Sequence, residues 1–250
     1  MGRWSRRLAV PFAEFTGIET GDILDGGCGT GALSAALAER PGIASITGID
    51  LAETYIAAAQ AGAANDPRIR FQVGDLCEIP FPDSHFDNSA SLLVLHFVPE
   101  PVRAAAELRR VTKSGGTIAA TVWDVRGGLV FNRIFFDTAA TLVPRVMERR
   151  KANYTRPMTR PGELAETWRA AGLREIREAM LTIRTDFAGF DDYFAPMLGQ
   201  TGPLAQIMAE LDDAERNRVR DAVREAYLDG EPDGPRSYAA TAWAVAGTVP

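Results

Sequence analysis

Apolar residues along the chain change period repeatedly, between short continuous runs and spacings of three or four, which sets out alternating strands and helices. Trp4, Leu8, Phe12 and Phe15 recur at helical spacing, with Arg3, Arg6 and Arg7 off that stripe. This predicts an amphipathic opening helix with a solvated basic face, or a lid that brings Trp4 or Arg6 over a ligand. Ile23 and Leu24 close a buried strand, Gly26, Gly27, Gly29 and Gly31 crowd the turn beyond it, and 32–39 reads as the helix leaving that turn. Further strands are predicted at 43–50, 69–75, 86–95 and 117–123, with a helix starting near Ala52 and another over Pro101 to Val111.

The second half is patterned less sharply. Leu129 to Val143 reads as an apolar helix, Met147 to Arg160 as arginine-rich and irregular, and Pro161 to Ala171 as a helix with proline in its first turn. Arg174 to Thr185 alternates as a strand. The region 187–234 looks helical, with Asp212 and Glu215 at capping-box spacing, and Ser237 to Val249 returns as a last strand.

Three predicted strands end in or beside an acid, Asp25, Asp50 and Asp75. In an open parallel sheet such residues line one crevice at the switch point, where ligands bind. A turn of glycines there lets backbone approach a ligand closely. Asp50 can accept from both hydroxyls of a ribose, and can also cap the helix near Ala52. Asp75 can accept from an exocyclic amine such as adenine N6, with the Leu76 N–H donating to the adjacent ring nitrogen.

The sequence ILDGGCGTGALS, Ile23 to Ser34, resembles the cofactor loop of the class I S-adenosylmethionine-dependent methyltransferases. LHFVPEPVRAAAELRRVTKSGG is similar to a stretch of many small-molecule methyltransferases, including the ubiquinone and menaquinone biosynthesis group: hydrophobic-His-hydrophobic, Pro-x-Pro, a helix, then Arg-Val-hydrophobic-Lys-x-Gly-Gly. The match runs in register over 21–125. The resemblance implies a three-layer, Rossmann-like α/β fold with a seven-stranded sheet. That sheet is mostly parallel with a late antiparallel strand, and a helical insertion lies in the last hairpin. It implies one domain, with a core of about 20–125, 161–186 and 237–249 and a helical substrate cover of about 129–160 and 187–235. The implied cofactor contacts are Asp25, Gly26, Gly27, Cys28, Gly29, Gly31, Asp50, Leu51, Asp75, Leu76 and Leu92. One departure stands out: Gly26 occupies a position usually hydrophobic in the family, and is expected to loosen the strand end.

A dinucleotide enzyme is the competing reading, because Gly27 to Ala32 also satisfies G-x-G-x-x-A. Asp25 directly before the glycines favours an ammonium over a pyrophosphate, and Asp75 has no necessary place in the dinucleotide fingerprint. A third alternative is a cofactor-binding module without catalysis. On the methyltransferase reading the reaction is an in-line methyl transfer to a small-molecule acceptor, with S-adenosylhomocysteine as product. A base is needed only where the nucleophile arrives protonated; His96 is the candidate, with a backbone-satisfied structural histidine as its alternative. Trp4, Trp123, Tyr154 and Tyr193 are candidate substrate contacts, and Arg156 is a further one. Neither histidines nor cysteines are spaced for a metal.

Composition narrows the partners. The net charge is −6 with a pI of 5.1, giving no basic field for nucleic acid. Two cysteines, Cys28 and Cys77, suit a reduced compartment rather than a disulfide framework. No apolar run reaches bilayer length and the charged start lacks a signal core, so a cytoplasmic protein without membrane contact is expected. Oligomeric state is left open.

Overall fold

The computed structural model describes residues 2–63, 65–199 and 203–250. Among the described residues there are seven strands: β1 (Thr20–Gly26), β2 (Gly42–Asp50), β3 (Ile69–Val73), β4 (Asn88–Leu92), β5 (Thr117–Trp123), β6 (Arg174–Phe187) and β7 (Arg236–Thr248). The helices are α1 (Gly2–Thr16), α2 (Ala32–Ala38), α3 (Glu53–Gly62), α4 (Pro101–Val111), α5 (Val130–Leu142), α6 (Pro144–Tyr154), α7 (Glu163–Ala170), α8 (Phe190–Phe194), α9 (Pro203–Ala209) and α10 (Asp213–Leu228).

The chain divides into two compact units. The first holds 1–123, 157–181 and 242–250, and the second 124–156 and 182–241. In the first, the strands form one sheet in the order β3-β2-β1-β4-β5-β7-β6. β1 to β5 pair in parallel, and β7 runs antiparallel to β5, with Trp123 opposite Ala242. Strand order reverses between β1 and β4, which makes the carboxyl edge there the switch point of a doubly wound sheet. The expected fold class is therefore the observed one.

One sheet face packs on α4 and α7. Leu24, Ile118, Ala120, Val122 and Val245 form one cluster with Leu108, Leu164 and Trp168. The Trp168 indole is fully buried and satisfied, donating Nε1–H to the Ile118 carbonyl at 2.9 Å. Burying a ring of that size stabilises the layer by roughly 3 kcal/mol. α1 packs against α2, β4 and β5. Trp4, Leu8 and Phe12 are its buried stripe, while Arg3, Arg6 and Arg7 are exposed. Arg3 and Arg7 lie over the Trp4 ring.

In the second unit, α5 packs on α6 and α10. An aromatic cluster of Phe187, Phe190, Tyr193, Tyr227 and Tyr238 fills part of its core. The capping box at α10 is present: Asp212 accepts from Glu215 N at 2.8 Å, and Glu215 accepts from Asp212 N at 3.2 Å.

Several boundaries differ from expectation. Arginine-rich 147–154 is helical, as α6; Pro144 fixes its first turn, and only Val146 and Asn153 are buried, seven residues apart, so little apolar period shows. α7 begins at Glu163 rather than Pro161, because Gly162 before it is left-handed with φ +81°. β4 covers only 88–92, since Leu93 leaves the extended region, and β3 stops at Val73. The helical region 187–234 is split into α8, α9 and α10, and 200–202 of it lie outside the described residues.

Candidate active site at the switch point

β1 delivers Asp25 and Gly26 to the carboxyl edge, and the turn that follows is left-handed at Gly27, Gly29 and Gly31, with φ of +72°, +53° and +82°. Side chains rarely adopt such angles, which is why the turn needs glycine. The Gly27 and Cys28 amides donate to the Ile49 carbonyl at 2.8 and 2.9 Å, tying the turn to β2. A Cβ on Gly29 would meet nothing within 4 Å, so this part of the turn faces open space.

The three acids stand at the ends of neighbouring strands β1, β2 and β3, but in unlike environments. Asp25 is fully buried, and its Oδ2 accepts from the Ser34 amide at 3.0 Å and hydroxyl at 2.6 Å. Its Oδ1 is buried without a hydrogen-bond partner among the described residues. Burial pushes the Asp25 carboxyl up to about 6; the Ser34 bonds oppose this and the Asp50 charge adds to it. Asp50 is half-buried, its Oδ2 accepting from Gly29 N at 3.0 Å and its Oδ1 from Ala52 N at 2.9 Å. It thus joins the glycine turn to the start of α3. Asp75 is exposed two residues past β3, with Oδ1 accepting from Cys77 N at 2.8 Å. Leu51 is exposed on the same edge, and Leu92 is buried at the end of β4.

Gly26 does not loosen the strand end. It pairs with Ile49, and the Leu76 side chain occupies the space a Cβ would take, with Cδ2 at 2.7 Å. Leu76 is accordingly buried. Cys28 packs with Ile56, Ala59 and Phe71, and burial drives its thiol far above the usual range. His96 is 2% exposed in the short 3₁₀ turn Leu95–Phe97, its ring 4.1 Å from that of Phe97. His85 is exposed, stacked on Phe81.

Of the four candidate substrate contacts, Trp4 and Trp123 belong to the first unit and are both buried. Tyr154 and Tyr193 belong to the second. The Tyr193 ring is 1% exposed within the aromatic core of that unit, and its hydroxyl donates to the Phe131 carbonyl at 2.8 Å. Tyr154 is half-buried, beneath Arg150 and 3.4 Å from Asp137. Among the described residues no His, Cys, Asp or Glu side chains group in threes as a metal site would need.

Three contributors escape sequence reasoning. Ser34 holds Asp25, but one serine in an alanine-rich helix gives no signal. Phe71 supports the turn, its ring filling the space of a Cβ on Gly31, at 2.9 Å, and on Gly48. Leu93 is left-handed with φ +62°; its N–H donates to Thr121 O at 2.8 Å, and Val94 beyond it covers Gly27.

A doubly wound sheet with a glycine turn and a row of strand-end acids at its switch point is the architecture of a nucleotide-cofactor enzyme. A family model described as "Methyltransferase domain" matches residues 24–120, from the end of β1 to β5. Nocamycin O-methyltransferase of Saccharothrix syringae is 31% identical over 172 residues, covering 63% of this chain and 60% of that protein. An uncharacterized protein of Mycobacterium bovis is 30% identical over 206 residues, covering 76% and 71%. The solved phosphoethanolamine N-methyltransferase 2 of Haemonchus contortus is 17% identical with a TM-score of 0.61, covering 98% of this chain and 52% of that one. Residues 24–120 thus carry the match to a methyltransferase domain, and the sheet around them has the fold of that solved methyltransferase. The chain spans about half to three fifths of the length of the first curated relatives it matches.

Proposed function

We propose that this chain transfers a methyl group from S-adenosylmethionine to a small-molecule acceptor by in-line displacement. The observation that carries the reading is Asp25, a fully buried carboxylate with one oxygen spent on Ser34 and the other without a partner among the described residues. Such an acceptor fits an ammonium group and repels a pyrophosphate, which sets the methyltransferase reading above the nicotinamide one.

The cofactor supplies, when bound, a methyl already activated on a sulfonium. Asp25 would hold its ammonium through Oδ1. Asp50 would take the ribose hydroxyls on its remaining lone pairs while keeping Gly29 and α3 in place. Asp75 and the Leu76 amide would take the purine edge, with Leu51 and Leu92 as apolar walls and Gly26 to Gly31 as the close backbone. The chain's remaining task is to orient the acceptor and exclude water. His96 is proposed as the base for a protonated nucleophile, and Trp4, Trp123 and Tyr154 as acceptor contacts. We assign acceptor choice to the second unit, 124–156 and 182–241, as part of one methyltransferase domain. The free, buried cysteines support a reducing, cytoplasmic setting, and no helix among the described residues is long and apolar enough to cross a membrane.

Calorimetry with S-adenosylhomocysteine and NAD tests the cofactor. Binding of the first and not the second is expected; the reverse overturns the reading. Transfer of labelled methyl into a metabolite pool tests the reaction.

A further inference from the structure

Parallel neighbours in a sheet are usually joined by a helix, but residues 74–87, between β3 and β4, form an irregular strap instead. Pro80 and Pro82 deprive it of two backbone donors. Asp75 and Leu76 stand at its head. There Cys77 N donates to the Asp75 carboxylate at 2.8 Å and Glu78 N to the Asp75 carbonyl at 3.1 Å, which closes a tight turn. The Leu76 side chain anchors that turn in the space beside Gly26.

Below the head, the strap is fastened to α4. The Cys77 thiol lies 3.7 Å from the Glu100 carbonyl at the start of that helix. Ile79 N donates to Glu107 Oε2 at 2.9 Å. Arg110, one turn further on, donates to the Ile79 carbonyl at 2.9 Å, the Phe81 carbonyl at 2.8 Å and the Asp83 carboxylate at 2.9 Å. Its other two N–H groups go to Glu107, each at 2.7 Å. A guanidinium has five N–H donors, and this one uses all five. Ser84 N donates in turn to the Arg110 carbonyl at 2.9 Å. The fork is planar and rigid, so bonds made in several directions at once fix the height of the strap on the helix as well as its distance. A strap displaced along α4 would draw Leu76 from its slot and carry Asp75 off the end of β3. A donor and an acceptor read a purine edge only while both stay within hydrogen-bond reach together.

We propose that Arg110, with Glu107, is a positioning residue for cofactor choice. By holding the strap to α4, it sets the Asp75 carboxylate and the Leu76 amide where they separate a 6-amino purine from a 6-oxo one. The purine role rests on the methyl-transfer reading; the fastening of the strap does not. The rival explanation is an ion pair at i, i+3 that stiffens α4 and nothing else.

The test is calorimetry of the full chain with S-adenosylhomocysteine and with S-inosylhomocysteine, which differ only at the purine edge. The wild type should prefer the amino compound at least tenfold, since the oxo compound sets an oxygen against Asp75 and an N–H against the Leu76 amide. Arg110→Ala should reduce that preference to about threefold or less, and Arg110→Lys, which keeps the charge and loses the fork, should restore it only in part. Asp83→Asn spares both carbonyl bonds and should leave the preference unchanged. Amide exchange of the unliganded chain should quicken over 76–81 in Arg110→Ala while the amides of β1 hold. The proposal is overturned if Arg110→Ala keeps the wild-type preference, even with a lowered melting temperature, or if the wild type binds both compounds equally. A wild type that binds neither removes the cofactor reading and the purine role with it; quickened exchange over 76–81 then keeps the fastening, and unchanged exchange removes that too.

Discussion

Asp25 combines a stability cost with a proposed ligand role. The folded chain holds its proton up to about pH 6, whereas the unfolded chain releases it near the ordinary 3.8. Between those values the folded state binds more protons, so stability falls as pH rises, by roughly 3 kcal/mol in all. Melting curves of the unliganded protein from pH 4 to pH 7 should show this decline, and Asp25→Asn should flatten it. S-adenosylhomocysteine affinity should move the other way, rising through pH 6 as the carboxylate ionises to meet the ammonium; calorimetry across the same range reads it. Ser34→Ala removes the 2.6 Å hydroxyl bond and should cost about 1–3 kcal/mol in denaturant unfolding. Asp50→Ala frees the Gly29 and Ala52 amides together, and should lower S-adenosylhomocysteine affinity at least tenfold by calorimetry.

The glycine turn is held by partners on β2 and β3 and by Val94, and its element-scale weakness lies where β4 ends. Gly27→Ala would force a side chain into φ +72° and set its Cβ 2.5 Å from a Val94 methyl. A loss of about 2 kcal/mol is expected from strain and clash together. Val94→Ala in the same chain should recover the clash portion only, which a double-mutant cycle separates. Elements of this kind were unevenly legible. Pro101 to Val111 and Thr117 to Trp123 appear in the structure with the limits their patterns predict, because each has a clear period and a clear break. The fourth strand expected at 86–95 is too long because the apolar run Leu92 to Leu95 continues past the sheet edge, and no periodicity announces that Leu93 turns left-handed. α6 was hidden for the opposite reason, since its surface is charged and its buried residues are few.

At the scale of the molecule, a glycine turn and spaced acids are enough to bring a candidate cofactor site to one edge, because parallel strands must end there and the crossover rule sets their neighbours. The environments of those acids were not legible. Whether an acid is sealed in, as Asp25 is, or open, as Asp75 is, depends on packing partners that lie far away in sequence. The same limit explains Tyr193, whose residue type suited a substrate contact and whose position buries it. The aromatic ring on β3 shows what such distant partnerships demand of the whole chain. Phe71 stands where a methyl on Gly48 would be, so the two positions are free to change only together. Gly48→Ala alone should destabilise the protein, and in a Phe71→Val background the same change should become nearly neutral. Among diverging descendants of this sequence, a larger residue in the second strand should therefore travel with a smaller one in the third.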